Sequence, residues 1–144
     1  MRNPQRYWKA AFLAPFFWLL GTVAALPQEA AEEAEPLPEL GAYWEEENGE
    51  FINLRIEAHR YQLYFLDEEQ RVQPPVFSQA ALFYEGTVKK EKEGRVLLRL
   101  SKDGRFLTSP IPVAKPYKFW VRVVLVNPED KKERKILPRK KLDQ

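Results

Sequence analysis

The side chains able to do polar chemistry are few and scattered. His59 is the only histidine among 144 residues, there is no cysteine, and the one methionine is Met1. A His-based zinc or copper cluster and a soft copper site are therefore excluded on residue types alone. His59 lies in Glu57-Ala58-His59-Arg60, between two alternating apolar segments. An exposed hairpin position is the plain reading of it and a general base the functional one. Nucleophilic catalysis needs a base within hydrogen-bond reach of a hydroxyl. Ser78, Ser101 and Ser109 stand in neither a G-x-S-x-G nor an S-x-x-K setting. No catalytic residue is assigned, and the chain is read as a non-enzyme.

Carboxylates come in runs. Glu45-Glu46-Glu47 with Glu50, and Asp67-Glu68-Glu69, carry oxygen ligands of the kind that hold Ca²⁺. Successive residues point in different directions, and neither run has a D-x-[DN]-x-[DN]-G loop, so solvated acid runs are expected. No metal and no cofactor are assigned. The aromatic residues carry more. Trp44, Tyr64 and Trp120 are the candidate ligand-binding residues, on the reading that a small domain rich in rings stacks sugars on an exposed face. Ordinary core and cross-strand packing is the competing account of the same rings.

The elements that must position these residues read as strands. Ile52, Leu54 and Ile56 alternate along 51–57, and Tyr61, Leu63 and Phe65 share one side of 60–66, with Tyr64 and Leu66 on the other. Segments 81–88, 95–100 and 106–108 follow, with Asp103-Gly104 in a tight turn. The clearest strand is 118–126, where Phe119, Val121, Val123 and Leu125 line one face and Trp120, Val124 and Val126 the other. A last strand is expected over 133–137. About seven short strands with turn signals between them imply an all-β fold, and the architecture expected is a small antiparallel immunoglobulin-like sandwich of residues 43–137, with no disulfide.

The flanks differ from this domain. Arg2, Arg6 and Lys9 precede 17 uncharged residues, Ala10 to Leu26, closed by Thr22-Val23-Ala24-Ala25. A basic start, an apolar run and a small-residue exit form a signal peptide over 1–25, cut after Ala25. An uncleaved anchor is the alternative, and it is then the only membrane contact expected. Residues 26–42 read as an acidic Pro/Glu/Ala-rich linker, and 138–144 as a basic tail. Loss of 1–25 leaves 20 basic against 21 acidic residues, a net charge of −1 in place of +2. The nucleic-acid reading invited by the basic precursor falls away. Charge is segregated instead: nine glutamates and no Lys or Arg over 28–50, seven basic residues and one acid over 131–141.

Phe51-Ile52-Asn53-Leu54, Tyr64-Phe65-Leu66-Asp67-Glu68-Glu69, Pro74-Pro75, Leu107-Thr108-Ser109-Pro110 and Phe119-Trp120-Val121-Arg122-Val123 resemble uncharacterised exported Ig-like β-sandwich proteins of environmental Gram-negative bacteria. The resemblance spans about residues 45–137 and implies a periplasmic or extracellular domain without a transferable activity. The function expected is that of a non-catalytic accessory or interaction domain of the cell envelope, with an envelope protein or polysaccharide as partner. A carbohydrate-binding module is the alternative, and a hydrolytic enzyme without a recognisable motif the third reading.

Overall fold

The computed structural model describes residues 35–88, 92–127, 129, 130, 132 and 134–144. The expected signal segment, and residues 26–34 of the expected linker, lie outside them. Among the described residues there are ten strands and no helix: β1 (Ala42–Glu45), β2 (Phe51–Glu57), β3 (Arg60–Leu66), β4 (Val72–Gln73), β5 (Gln79–Gly86), β6 (Glu93–Leu100), β7 (Leu107–Thr108), β8 (Lys118–Val126), β9 (Arg134–Ile136) and β10 (Lys140–Asp143).

The expected two-sheet sandwich does not form. All strands join one antiparallel sheet in the order β1-β2-β3-β7-β6-β5-β8-β10, with β4 on β3 and β9 on β8. Short β7 makes the difference. It pairs with β3 through Gln62↔Thr108 and Leu63↔Leu107 and with β6 through Arg99↔Thr108 and Leu100↔Leu107, joining what would otherwise be two sheets. The sheet curls into a half-barrel, as an extended sheet of twisted strands tends to do.

Alternation decides the inside. Ile52, Leu54 and Ile56 on β2, Tyr61, Leu63 and Phe65 on β3, and Phe119, Val121, Val123 and Leu125 on β8 all point into one core with Leu82, Val96, Leu98 and Leu107. Each fully buried aliphatic or Phe side chain contributes about 1.5–3 kcal/mol relative to exposure.

The free edges of the half-barrel are tied by side chains. The Trp44 indole N–H donates to the Pro138 carbonyl at 2.7 Å, and Lys140 donates to the Tyr43 carbonyl. The Gln144 amide acts as one more rung on β2, accepting from the Ile56 N–H at 2.8 Å and donating to the Ile56 carbonyl at 3.1 Å. Within the basic segment 138–144, residues Lys140–Asp143 form the edge strand β10. Leu142 is fully buried opposite Phe119, and that burial draws the basic segment into β10. Its lysines stay at the surface.

The described end of the linker is also docked. Gly41, at φ +84°, turns the chain into β1 where a Cβ would stand 2.2 Å from the Leu54 carbonyl oxygen, so no other residue fits. Beside it, buried Arg55 donates to the Pro38 carbonyl at 2.7 Å and to Asn53 Oδ1 at 2.7 Å. Asn53 in turn donates to the carbonyls of Leu40 and Ala42 at 2.8 and 3.2 Å. The two polar side chains clasp residues 38–42 against the outside of β2.

Candidate functional site

The half-barrel holds an aromatic cavity of about 220 Å³ where β3, β5, β6 and β8 meet the loop 109–117. Its wall is built from residues that face the core near strand ends: Tyr61 on β3, Tyr84 on β5, Val96 on β6 and Phe119 on β8. The three rings form a closed set, with centroids 5.8 Å apart for Tyr61–Tyr84, 6.0 Å for Tyr61–Phe119 and 5.8 Å for Tyr84–Phe119. The last two pairs meet edge to face, at 65° and 82°, a favoured geometry for π-systems. Lys92 and Glu93 stand where the charged β5–β6 connection meets the wall.

The loop forms the rest of the lining, through Ile111, Pro112, Val113 and Ala114. It is pinned at several points. Buried Ser109 accepts from the Tyr61 N–H at 3.1 Å and donates to the Ile111 carbonyl at 3.0 Å. The Val113 N–H donates to the His59 carbonyl at 2.6 Å. Arg60 reaches the Ser109 carbonyl at 3.0 Å, and Lys92 the Lys115 carbonyl at 2.7 Å. His59 Nδ1 is hydrogen-bonded to the Tyr117 hydroxyl. Pro110, Pro112 and Pro116, the last after a cis peptide bond, stiffen the segment further.

Tyr61 is the chemical centre of this cavity. Its hydroxyl is buried and has no hydrogen-bond partner among the described residues, although buried polar groups are nearly always paired. Burial pushes the phenol well above its ordinary pKa, with a smaller push from the Tyr84 phenol. The group therefore stays neutral, with one O–H donor and two lone pairs buried among the rings of the wall. An unpaired buried hydroxyl costs about 1–3 kcal/mol.

The three candidate rings do not come together. Trp44 is 3% exposed, inside the core on β1. Tyr64, 7% exposed, lies on the outside of β3 against Phe106, with the Arg55 guanidinium 5.6 Å above it and its hydroxyl donating to Gln62 at 2.7 Å. Burial, then the Glu57 carboxylate, raise its pKa, with Arg55 opposing. Trp120 is 40% exposed and carries the Arg139 guanidinium 4.8 Å from its ring centroid. These rings thus sit on β1, β3 and β8 in three settings, without a shared stacking surface.

The acidic runs have structural work. Asp67 organises the β3–β4 turn, accepting from the backbone N–H groups of Glu69 and Arg71 at 2.9 Å each and from the Arg71 guanidinium at 2.9 Å. Glu46 pairs with Lys135 across the seam. His59 sits at the tip of the β2–β3 hairpin, exposed as expected, but bonded to Tyr117 at the edge of the cavity loop. Sequence reasoning placed Tyr61 on one side of segment 60–66 without assigning it a site. The one local signal was the proline-marked segment 110–116 beside an aromatic strand.

No family model, curated protein or solved structure matches the chain.

Proposed function

We propose that the protein is a non-catalytic binding domain of the cell envelope, working outside the cytoplasm, with the aromatic cavity as its ligand site. The observation that carries this reading is the Tyr61 hydroxyl, unpartnered among the described residues, beside a cavity lined mostly by rings and aliphatic groups, with Lys92 and Glu93 at its edge. Few polar groups in a mostly apolar concavity are the usual make-up of a small-molecule site. The volume of about 220 Å³ exceeds the roughly 150 Å³ that admits benzene to an engineered apolar cavity. The ligand class that suits the lining is a small ring-bearing molecule with one hydrogen-bond acceptor for Tyr61. The basic and apolar N-terminal segment supports a place outside the cytoplasm. Sugar stacking is the weaker reading, because Trp44 and Tyr64 are withdrawn from the surface.

Acetophenone and ethylbenzene, similar in shape, separate the hydroxyl's contribution from that of the apolar wall. Binding is followed through the ring resonances of Tyr61, Tyr84 and Phe119. The ketone is expected to bind about tenfold more tightly than the hydrocarbon, the worth of one hydrogen bond of about 1.4 kcal/mol. Tyr61→Phe is expected to erase that difference while leaving ethylbenzene binding in place. Absence of any perturbation by either compound at millimolar concentration overturns the reading.

A further inference from the structure

The outer face of the sheet over β6, β5, β8 and β9 is ordered in rows by strand register. Leu97, Ala81, Val124 and Ile136 stand side by side across the four strands. Leu97 is 37% and Ile136 66% exposed. On one side of this aliphatic row lie Arg95, Phe83 and Arg122, in register. On the other lie Arg99, Gln79, Val126 and Arg134. Beyond the first arginine row, Trp120 faces Lys141 of β10, and Arg139 bridges from the Trp120 ring to Glu85 at 2.8 Å. Glu85 and Glu93 are the acids on these rows, and Glu85 is already paired. An apolar stripe thus runs between two cationic rows, with an indole at one margin.

We propose that this face lies against a bilayer surface rich in anionic lipid. The charge pattern selects an anionic partner, and the aliphatic row selects one with an apolar layer beneath its charges. A polysaccharide or nucleic-acid backbone would meet the arginines but leave Leu97, Val124 and Ile136 facing nothing apolar. A bilayer offers phosphate to the guanidinium rows and, a few ångströms deeper, the glycerol and acyl boundary to the stripe. Tryptophan favours that same depth. The acidic turns at Glu46–Glu50 and Asp67–Glu69 belong to the β1–β2 and β3–β4 connections, and Glu46, the acid that reaches β9, is already paired with Lys135. The surface is independent of the Tyr61 cavity, which opens among core-facing side chains.

The absence of cysteine makes a site-specific probe straightforward. Full chains carrying Ile136→Cys or Glu68→Cys, each labelled with an environment-sensitive nitrobenzoxadiazole dye, are mixed with vesicles of phosphatidylcholine alone or with 30% phosphatidylglycerol, a proportion of about one lipid in three chosen to set a strong surface potential. The Ile136 probe is expected to brighten and shift to the blue only with the anionic vesicles and to recover in about 0.5 M salt, where screening is severe. The Glu68 probe stays unchanged in both. Placing the probe on the face itself separates docking from any insertion of the apolar N-terminal segment. Each of Arg95→Gln, Arg122→Gln and Arg134→Gln is expected to weaken the response about fivefold, as for one basic residue near a charged membrane. A probe response to heparin or an oligonucleotide but not to anionic vesicles overturns the proposal in favour of a polymeric anion. An Ile136 probe silent in anionic vesicles overturns it outright.

Discussion

The indole N–H of Trp44 donates to the carbonyl of Pro138, 94 positions along the chain, at 2.7 Å. The bond joins β1 to the segment between β9 and β10, so residues at opposite ends of the strand order close the half-barrel. Lys140, the first residue of β10, lies 5.9 Å from the Trp44 ring centroid while it donates to the Tyr43 carbonyl. Trp44→Phe keeps a ring in the core but removes the donor. It is expected to lower unfolding stability by about 1–3 kcal/mol, the cost of a stranded partner. Trp44→Ala is expected to cost about 3–5 kcal/mol through the added cavity. Urea unfolding measures both, and a Phe variant as stable as wild type would show that the seam bond contributes nothing.

Arg55 is the largest of the fully buried side chains, and it lies on the outside of the sheet. The docked lead-in covers it. Its guanidinium serves Pro38, Asn53, Tyr43 and the half-exposed carboxylate of Glu57, the last at 3.2 Å. Arg55→Met fills much of the volume yet strands the Pro38 carbonyl and Asn53 Oδ1. A loss of about 3–5 kcal/mol is expected, as for breaking a buried charged network by removing one partner. The loss has a local signature. Amide hydrogens of residues 37–42 should exchange much faster in the variant, whereas those of β5 and β8 change only with global stability.

Side-chain alternation made much of the interior legible. The inward sets on 51–57, 60–66 and 118–126 occupy the core as expected, and Trp120 faces outward because it is out of phase with Phe119. The arrangement of the strands was not legible, since it turns on the two-residue β7, whose pairings are non-local. β10 was hidden by its lysines, with Leu142 its single buried side chain. The β2–β3 turn was equally opaque. Ala58 and His59 both adopt positive φ, 49° and 58°, where Asn-Gly is the ordinary signal. His59 is held there by Tyr117 and by Val113, contacts from a loop fifty residues away that no local pattern announces. The same holds for the cavity. That Tyr61 has an aromatic neighbourhood follows from strand pairing, but that its hydroxyl has no partner among the described residues does not.

Asp67 gives the acid limb of stability a specific origin. The backbone N–H of Arg71 holds its carboxylate below the usual pKa; desolvation opposes this, and the Arg71 guanidinium and the Glu69 N–H add to the lowering. A carboxylate depressed in the folded state contributes stability that is present above its unfolded pKa and lost as pH falls through the folded value. The contribution is therefore intact at neutral pH and disappears below about pH 4, the ordinary Asp range. Asp67→Asn should lower stability at pH 7 and flatten the decline below pH 4. Equal slopes for the two proteins in denaturant titrations across pH 2–7, a window set around that ordinary value, would place the acid sensitivity elsewhere.

Gly94 connects packing to the cavity. It faces Tyr84 across the β5–β6 ladder, and a Cβ there would stand 2.8 Å from the Tyr84 hydroxyl oxygen and 3.0 Å from Cζ. Its φ is not in the left-handed region, so alanine strains the ring rather than the backbone. Because the obstruction is the far end of a side chain, the ring can swing aside, and Gly94→Ala is expected to change stability by less than about 1 kcal/mol. Displacing Tyr84 breaks the three-ring set with Tyr61 and Phe119, so acetophenone and ethylbenzene should both lose affinity, by about tenfold or more, the worth of one aromatic contact of about 1.4 kcal/mol. That pattern differs from Tyr61→Phe, which spares the hydrocarbon. A Gly94→Ala protein that binds both compounds like wild type would mean that the Tyr84 ring is not part of the binding wall.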